Sequence, residues 1–272
     1  MEKKLLFLDL DGTLLDDRKQ ITPGNREALE KALNKGHGVV IATGRPLQGA
    51  VEQARVLGLD QPGCYLIAYN GAVIFDWNTE KELFRRDLDP ETVYRVFDRA
   101  KKQKIHIQTY DAQSVLVEKL CDDENIRRYC RETNTKFRVM EDVRKDLQER
   151  PVKMLMSDYE SKAPLLEMEQ WMKENMGTEA DCFFSCETYL EVVPLGMNKG
   201  EAVKMLCALL EVPIENAVAV GDAANDIPMI RAAGLGVAMA NGTEEVKAAA
   251  DYVTHLDNNR DGVAEVVNVF LL

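Results

Sequence analysis

The sequence predicts an α/β protein in which a second, α+β unit is inserted into a parallel-sheet core. Three observations carry this. Residues 5–8, Leu-Leu-Phe-Leu, are unbroken apolar, as in a strand buried on both faces of a parallel sheet. Similar runs recur near both ends of the chain, interleaved with helical patterns. Between about residues 82 and 192 the texture changes to short alternating strands and amphipathic helices, a domain-sized stretch of roughly 110 residues.

The elements follow in order. Thr22 reads as an N-cap with Pro23 at the first helical position, and Ala28, Leu29, Ala32 and Leu33 form the inward stripe of a helix that Gly36 and Gly38 end. A strand over 37–42 runs into Thr43-Gly44, and Pro46 opens a helix to about residue 57. A strand over 65–69 meets Asn70-Gly71, a strong hairpin signal, with 72–75 returning. In the insert, helices are expected over 90–102, 122–133 and 164–176, with β-rich pieces at 105–110, 114–118, 152–156 and 182–193. The core pattern then resumes: helix 199–210, strand 217–221, helix 226–233, strand 235–239, helix 244–249, strand 252–254 and a last helix from Gly262. The expected division is a discontinuous core of 1–81 and 193–272 with an inserted unit of 82–192.

A chain of 272 residues, 46% hydrophobic and 29% charged, has room for a packed core in each part. With 34 basic and 46 acidic residues the net charge is -12, which argues against a nucleic-acid or anionic-membrane surface. Lys3 and Lys4 before an apolar run imitate a signal peptide, but Asp9 and Asp11 interrupt it, so a cytoplasmic location is expected. The six cysteines contain no C-x-x-C pair and read as free thiols, mostly buried.

Charge at the end of a buried strand is where chemistry is expected. Period-two geometry points Asp9 and Asp11 the same way, into the crevice where open α/β sheets bind ligands. Two carboxylates there repel each other unless a cation or a shared proton intervenes, and Mg²⁺, a hard ion that takes oxygen ligands, is the natural remedy. Taken singly, each candidate has a plain structural explanation: Asp9 and Asp11 as turn residues, Thr43 as an N-cap, Lys199 as a surface residue, 222–226 as a solvated loop. Yet a parallel sheet brings all its strand carboxyl ends to one edge. Asp9, Asp11 and Asp222 then gather around one cation while Thr43, Gly44 and Lys199 ring an anion beside it, a phosphate site built from metal, amine, hydroxyl and helix-start amides. Lys199, in the first turn of a helix, stands against the dipole and wants an anion nearby.

The series D-x-D-G-T (Asp9 to Thr13), T-G (Thr43-Gly44), Lys199 and G-D-x-x-N-D (Gly221 to Asp226), in this order, resembles the haloacid dehalogenase (HAD) superfamily of phosphohydrolases. The large insert, with Asn198-Lys199-Gly200 after it, is similar to the Cof-type sugar-phosphatase branch. The resemblance implies a Rossmann-like, HAD-like core with an inserted α+β cap that sets substrate specificity. It implies Asp9 as nucleophile forming an aspartyl-phosphate and Asp11 as general acid and then base. It further implies Mg²⁺ held by Asp9, the Asp11 main-chain carbonyl and Asp222, and phosphate contacts from Thr43, Gly44, Lys199 and Asn225. Asp226 matches an acid that orients Lys199 or metal-bound water, and Thr13 a loop-stiffening residue. The implied partner is a small phosphorylated metabolite, with neither nucleic acid nor membrane, and the chain reads as a monomer or weak dimer. Asn70, Arg45, Tyr189, Glu191, Asn198 and the three histidines are weaker candidates, for which packing, turn or surface roles suffice. The rival functions are a phosphomutase on the same core and a receiver-like phospho-aspartate module. The latter needs neither an acid at Asp11 nor so large an insert.

Overall fold

The computed structural model describes residues 2–111, 113–133 and 135–272. The α/β class expected from the sequence is observed. The chain divides into two compact units, residues 1–44, 50–84 and 198–272 forming the first and residues 45–49 and 85–197 the second.

The first unit is built on an eight-stranded sheet in the order Tyr252–Val253, Leu235–Ala238, Ala217–Gly221, Leu5–Leu8, Gly38–Ala42, Cys64–Ala68, Val73–Asp76, Lys81–Arg85. The first six run parallel, and Val73–Asp76 folds back antiparallel. Leu5, Leu6, Phe7 and Leu8 are wholly buried at its centre, which is why this strand reads as a continuous apolar run. The core beneath it includes Leu5, Phe7 and Ala219 packed with Val203, Leu206 and Cys207 of the helix Lys199–Leu209. Each fully buried Leu or Phe adds roughly 1.5–3 kcal/mol to the driving force for this arrangement. Register sets the site: Leu8 lies opposite both Val220 and Ile41, so Asp9, Asp222 and Thr43 emerge together at the carboxyl edge.

The second unit has a six-stranded sheet in the order Ala180–Cys186, Tyr189–Pro194, Met154–Ser157, His106–Tyr110, Val115–Glu118, Phe137–Met140, antiparallel except for its last pair. The helix Pro90–Gln103 packs on His106–Tyr110, and Ala163–Asn175 on the hairpin of the first two strands. The register aligns His106 with Ser157, Gln108 with Leu155, Leu155 with Glu191 and Ser157 with Tyr189. One face therefore carries His106, Gln108, Tyr110, Ser157, Tyr189 and Glu191, while Ile107, Met154, Met156, Leu190 and Val192 fill the other.

Several elements differ from expectation. The stretch 182–193 is a hairpin of two strands, because Glu187-Thr188 makes a turn without the Gly, Asn or Pro that would have marked it. Lys81–Arg85 and Phe137–Met140 are strands with no clear apolar signature, and both lie at sheet edges, where half the side chains meet solvent. Thr22 stands at the N-cap of Pro23–Asn34, but its hydroxyl makes no capping bond. No helix among the described residues is long and apolar enough to cross a membrane.

Candidate active site

Asp9 follows directly on the central strand, its amide donating to Val220 O at 3.1 Å. The chain then turns through Gly12, whose φ of 84° is left-handed and whose missing side chain leaves room for the Asp222 carboxylate. Thr13, wholly buried, donates its hydroxyl to Asp222 Oδ1 at 2.7 Å, so it fixes the carboxylate that faces Asp9 across the sheet edge. Asn241 Nδ2 donates to Gly12 O at 2.7 Å and Asn258 Nδ2 to Leu15 O at 3.0 Å, pinning the same loop from the far end of the chain. Nothing in the spacing of these two asparagines announces that contact.

Lys199 opens the helix Lys199–Leu209, capped by Asn198, whose side chain accepts from the amides of Gly200 and Glu201 at 2.9 and 3.0 Å. The weak candidate Asn198 is thus a helix cap. Lys199 is fully buried, and its Nζ lies 2.6 Å from both Asp9 Oδ1 and Asp226 Oδ1. These carboxylates are the anions its unfavourable place on the helix dipole calls for. Burial alone would favour the neutral amine, but the charges of Asp226 and Asp9 outweigh it and hold Lys199 firmly protonated.

Asp226 is equally enclosed. Its Oδ1 takes Lys199, and its Oδ2 accepts from the amides of Asp222 and Ala223, each at 3.0 Å. Both oxygens are engaged, so Asp226 orients the lysine and the loop that carries Asp222.

Among the described residues, Asp9, Asp222 and Asp226 offer carboxylate oxygens within 4.8 Å of one another. Three acids thus surround one ammonium. Burial pushes the Asp9 carboxyl up to about 8; Lys199 pulls the other way, and Asp226 and Asp222 add to the rise. Burial likewise lifts Asp222 to about 6 against the Thr13 hydrogen bond. A site with surplus acid holds protons until a cation replaces them. The Asp11 carboxylate is not in this group: it is half-exposed and pairs with Lys19 Nζ at 2.7 Å, so only its main-chain carbonyl suits the metal position expected for Asp11.

On the other flank, Thr43 is buried, and its carbonyl accepts from the Asn70 amide at 3.1 Å. Tyr69 and Asn70 both have left-handed backbones, with φ of 51° and 55°. The Asn-Gly pair does make the hairpin turn, but Asn70 is also buried at the site. Its Oδ1 accepts from Asn225 Nδ2 at 3.2 Å, and a side chain on Gly44 would run into it. Asn70, Thr43, Gly44 and Asn225 therefore form one polar flank beside the acids. Among the histidines, His37 bridges Leu271 O and the Lys4 amide, His106 meets Asp123, and His255 meets Glu265.

Residues 6–267 match the haloacid dehalogenase-like hydrolase family. The chain belongs to that family. It is a phosphatase of the HAD group, with the Cof-type likeness noted in its motifs. Similar proteins span its whole length. The 5-amino-6-(5-phospho-D-ribitylamino)uracil phosphatase YcsE of Bacillus subtilis is 32% identical over 275 residues, covering 99% of this chain and 96% of that one. A haloacid dehalogenase-like hydrolase from Bacteroides thetaiotaomicron superposes with a TM-score of 0.89 at 32% identity, over 98% of this chain and 99% of that one. The HAD subclass IIB sugar phosphatase BT4131 superposes with a TM-score of 0.85 at 25% identity, over 98% and 99%.

Proposed function

We propose that this HAD phosphatase hydrolyses small phosphomonoesters, sugar phosphates foremost, through a phosphoryl group carried on Asp9, with Mg²⁺ as cofactor. The single observation that carries the reading is the buried triad in which Lys199 holds Asp9 and Asp226 at 2.6 Å each while Asp222 adds a further acid.

The donor set fits a hard divalent ion. With Asp226 saturated by Lys199 and two amides, Asp9, Asp222 and the Asp11 carbonyl are the groups that would hold it. When bound, Mg²⁺ would supply positive charge to offset that of the transferring phosphoryl group. Asp9 Oδ attacks phosphorus as the bond from phosphorus to the leaving oxygen breaks, and the Asp11 carboxyl gives its proton to that oxygen. Asp11 then takes a proton from the water that attacks the phosphoryl-Asp9, releasing inorganic phosphate and restoring both acids. Lys199, Thr43, the Gly44 amide and Asn225 bear the charge of the transferring group, and Asn70 orients Asn225. The unit of residues 85–197 is read as the cap that selects the alcohol part of the substrate. The names of YcsE and BT4131 support phosphorylated ribityl compounds and sugar phosphates as the first classes to try.

The test is phosphate release from a panel of phosphate esters with and without Mg²⁺. Activity should require the ion and fall by on the order of 10³-fold or more in Asp9→Asn. A sugar bisphosphate product without free phosphate would instead favour the mutase.

A further inference from the structure

The turn after the motif carries a cation that none of the assignments above uses. Residues 16–20 form a tightly specified reversal between Leu15 and Ile21, which bridge antiparallel. The Asp16 amide donates to Gln20 O at 2.8 Å, and the buried Asp16 Oδ1 accepts from the amides of Arg18 and Gln20 at 2.9 Å each. The Lys19 amide donates to Asp16 O at 2.9 Å, and Lys19 adopts a left-handed backbone, φ 60°, that residues other than Gly, Asn and Asp seldom take. From there its Nζ reaches Asp11 Oδ1 at 2.7 Å. Lys19 and Asp11 side chains are 59% and 41% exposed, so the pair adds little to stability. The left-handed residue closes the three-residue reversal, and the turn it closes holds the lysine where its ammonium meets Asp11.

We infer that Lys19 is a positioning residue for Asp11: its ammonium donates to one carboxyl oxygen at the rim, so that the other oxygen, which carries the proton in the acid step, is presented to the leaving-group oxygen. The inference rests on the acid role given to Asp11 above. Asp11 stands on a loop whose glycine and threonine are committed to Asp222, and Lys19 engages its carboxyl from the turn that follows. The Lys19 ammonium also adds positive charge to an edge crowded with acids.

The chemistry provides a selective test. An alkyl leaving group needs a proton as its bond to phosphorus breaks, whereas 4-nitrophenolate leaves without one. Lys19→Met, with a side chain no more strained than lysine in that backbone, should lower kcat/KM for a hexose 6-phosphate by about 10-fold and for 4-nitrophenyl phosphate by less than about 2-fold. The KM values should be little changed, and Lys19→Arg should recover most of the loss. An equal loss on both esters, no loss on the hexose ester, or no recovery by arginine would overturn the inference. Asp9→Asn is run in parallel: should it keep activity, the phosphoryl-aspartate reading itself fails, whatever Lys19→Met does.

Discussion

Each unit of the molecule buries a lysine against a carboxylate, and the two sheets do so in different ways. In the first unit, parallel strands deliver Asp9, Thr43 and Asp222 to one edge, where Lys199 is wholly enclosed between Asp9 and Asp226 with Asp222 adding further negative charge. In the second, the polar groups lie mid-strand on one face of an antiparallel sheet. Lys153, just before Met154–Ser157, meets Glu191 at 2.8 Å and the ring of Tyr110 at 5.2 Å, while Tyr110 OH donates to Tyr129 OH and accepts from Gln108. A parallel sheet thus concentrates like charge at a point, and the antiparallel sheet spreads a hydrogen-bonded network across a surface. The concentrated cluster holds a charge imbalance that, in the proposed function, a cation and a phosphoryl group relieve.

Removing each lysine breaks or sharpens this contrast. Lys199→Met should abolish activity, by on the order of 10³-fold, and destabilise the first unit by about 3–5 kcal/mol, since it leaves two carboxylates enclosed without their cation. Mg²⁺ should restore part of that stability. Lys153→Met should also destabilise the second unit by removing the cation buried against Glu191, but Mg²⁺ should restore none of that loss. Denaturant melts of both variants with and without the ion decide the matter, and equal rescue of both would erase the distinction drawn between the sheets.

A smaller effect is expected from pH. Because burial raises Asp9 to about 8 and Asp222 to about 6, protons compete with a cation there. The sign follows: below these values the acids are neutral and bind Mg²⁺ weakly, and affinity grows as pH rises through them. Calorimetric titration should show affinity increasing on the order of 10- to 100-fold from pH 6 to pH 8, with protons released on binding. A flat profile would mean that Lys199 already keeps both carboxyls ionised.

The same contrast explains what was legible in the sequence. Strand-end residues of a parallel sheet converge at one edge, so Asp9, Thr43 and Asp222 could be brought together from periodicity, and Lys199, at a helix start, was joined to them by the motif series. The buried polar face of the second sheet could not. Whether His106, Gln108 and Tyr110 share a face with Tyr189 and Glu191 depends on the register of strands far apart in the chain and joined through helices, which periodicity within each strand does not give. Asn70 was legible as a turn residue and is one; its left-handed backbone gives it a second task at the site, which turn chemistry alone does not announce. Lys19 was hidden for a related reason, being an ordinary loop lysine until the Asp16 turn aims it. Asp226 came from the motif as an acid that orients Lys199 or metal-bound water; that two main-chain amides take up its second oxygen depends on loop geometry the motif does not give.

The central claim is that Asp9 carries the phosphoryl group, and acid-quenched turnover followed by peptide mass spectrometry tests it most directly. The account predicts one phosphoryl group on the peptide containing Asp9, present during turnover and lost in Asp9→Asn. Steady turnover with that peptide never modified, or with the phosphoryl group on another residue, would contradict it.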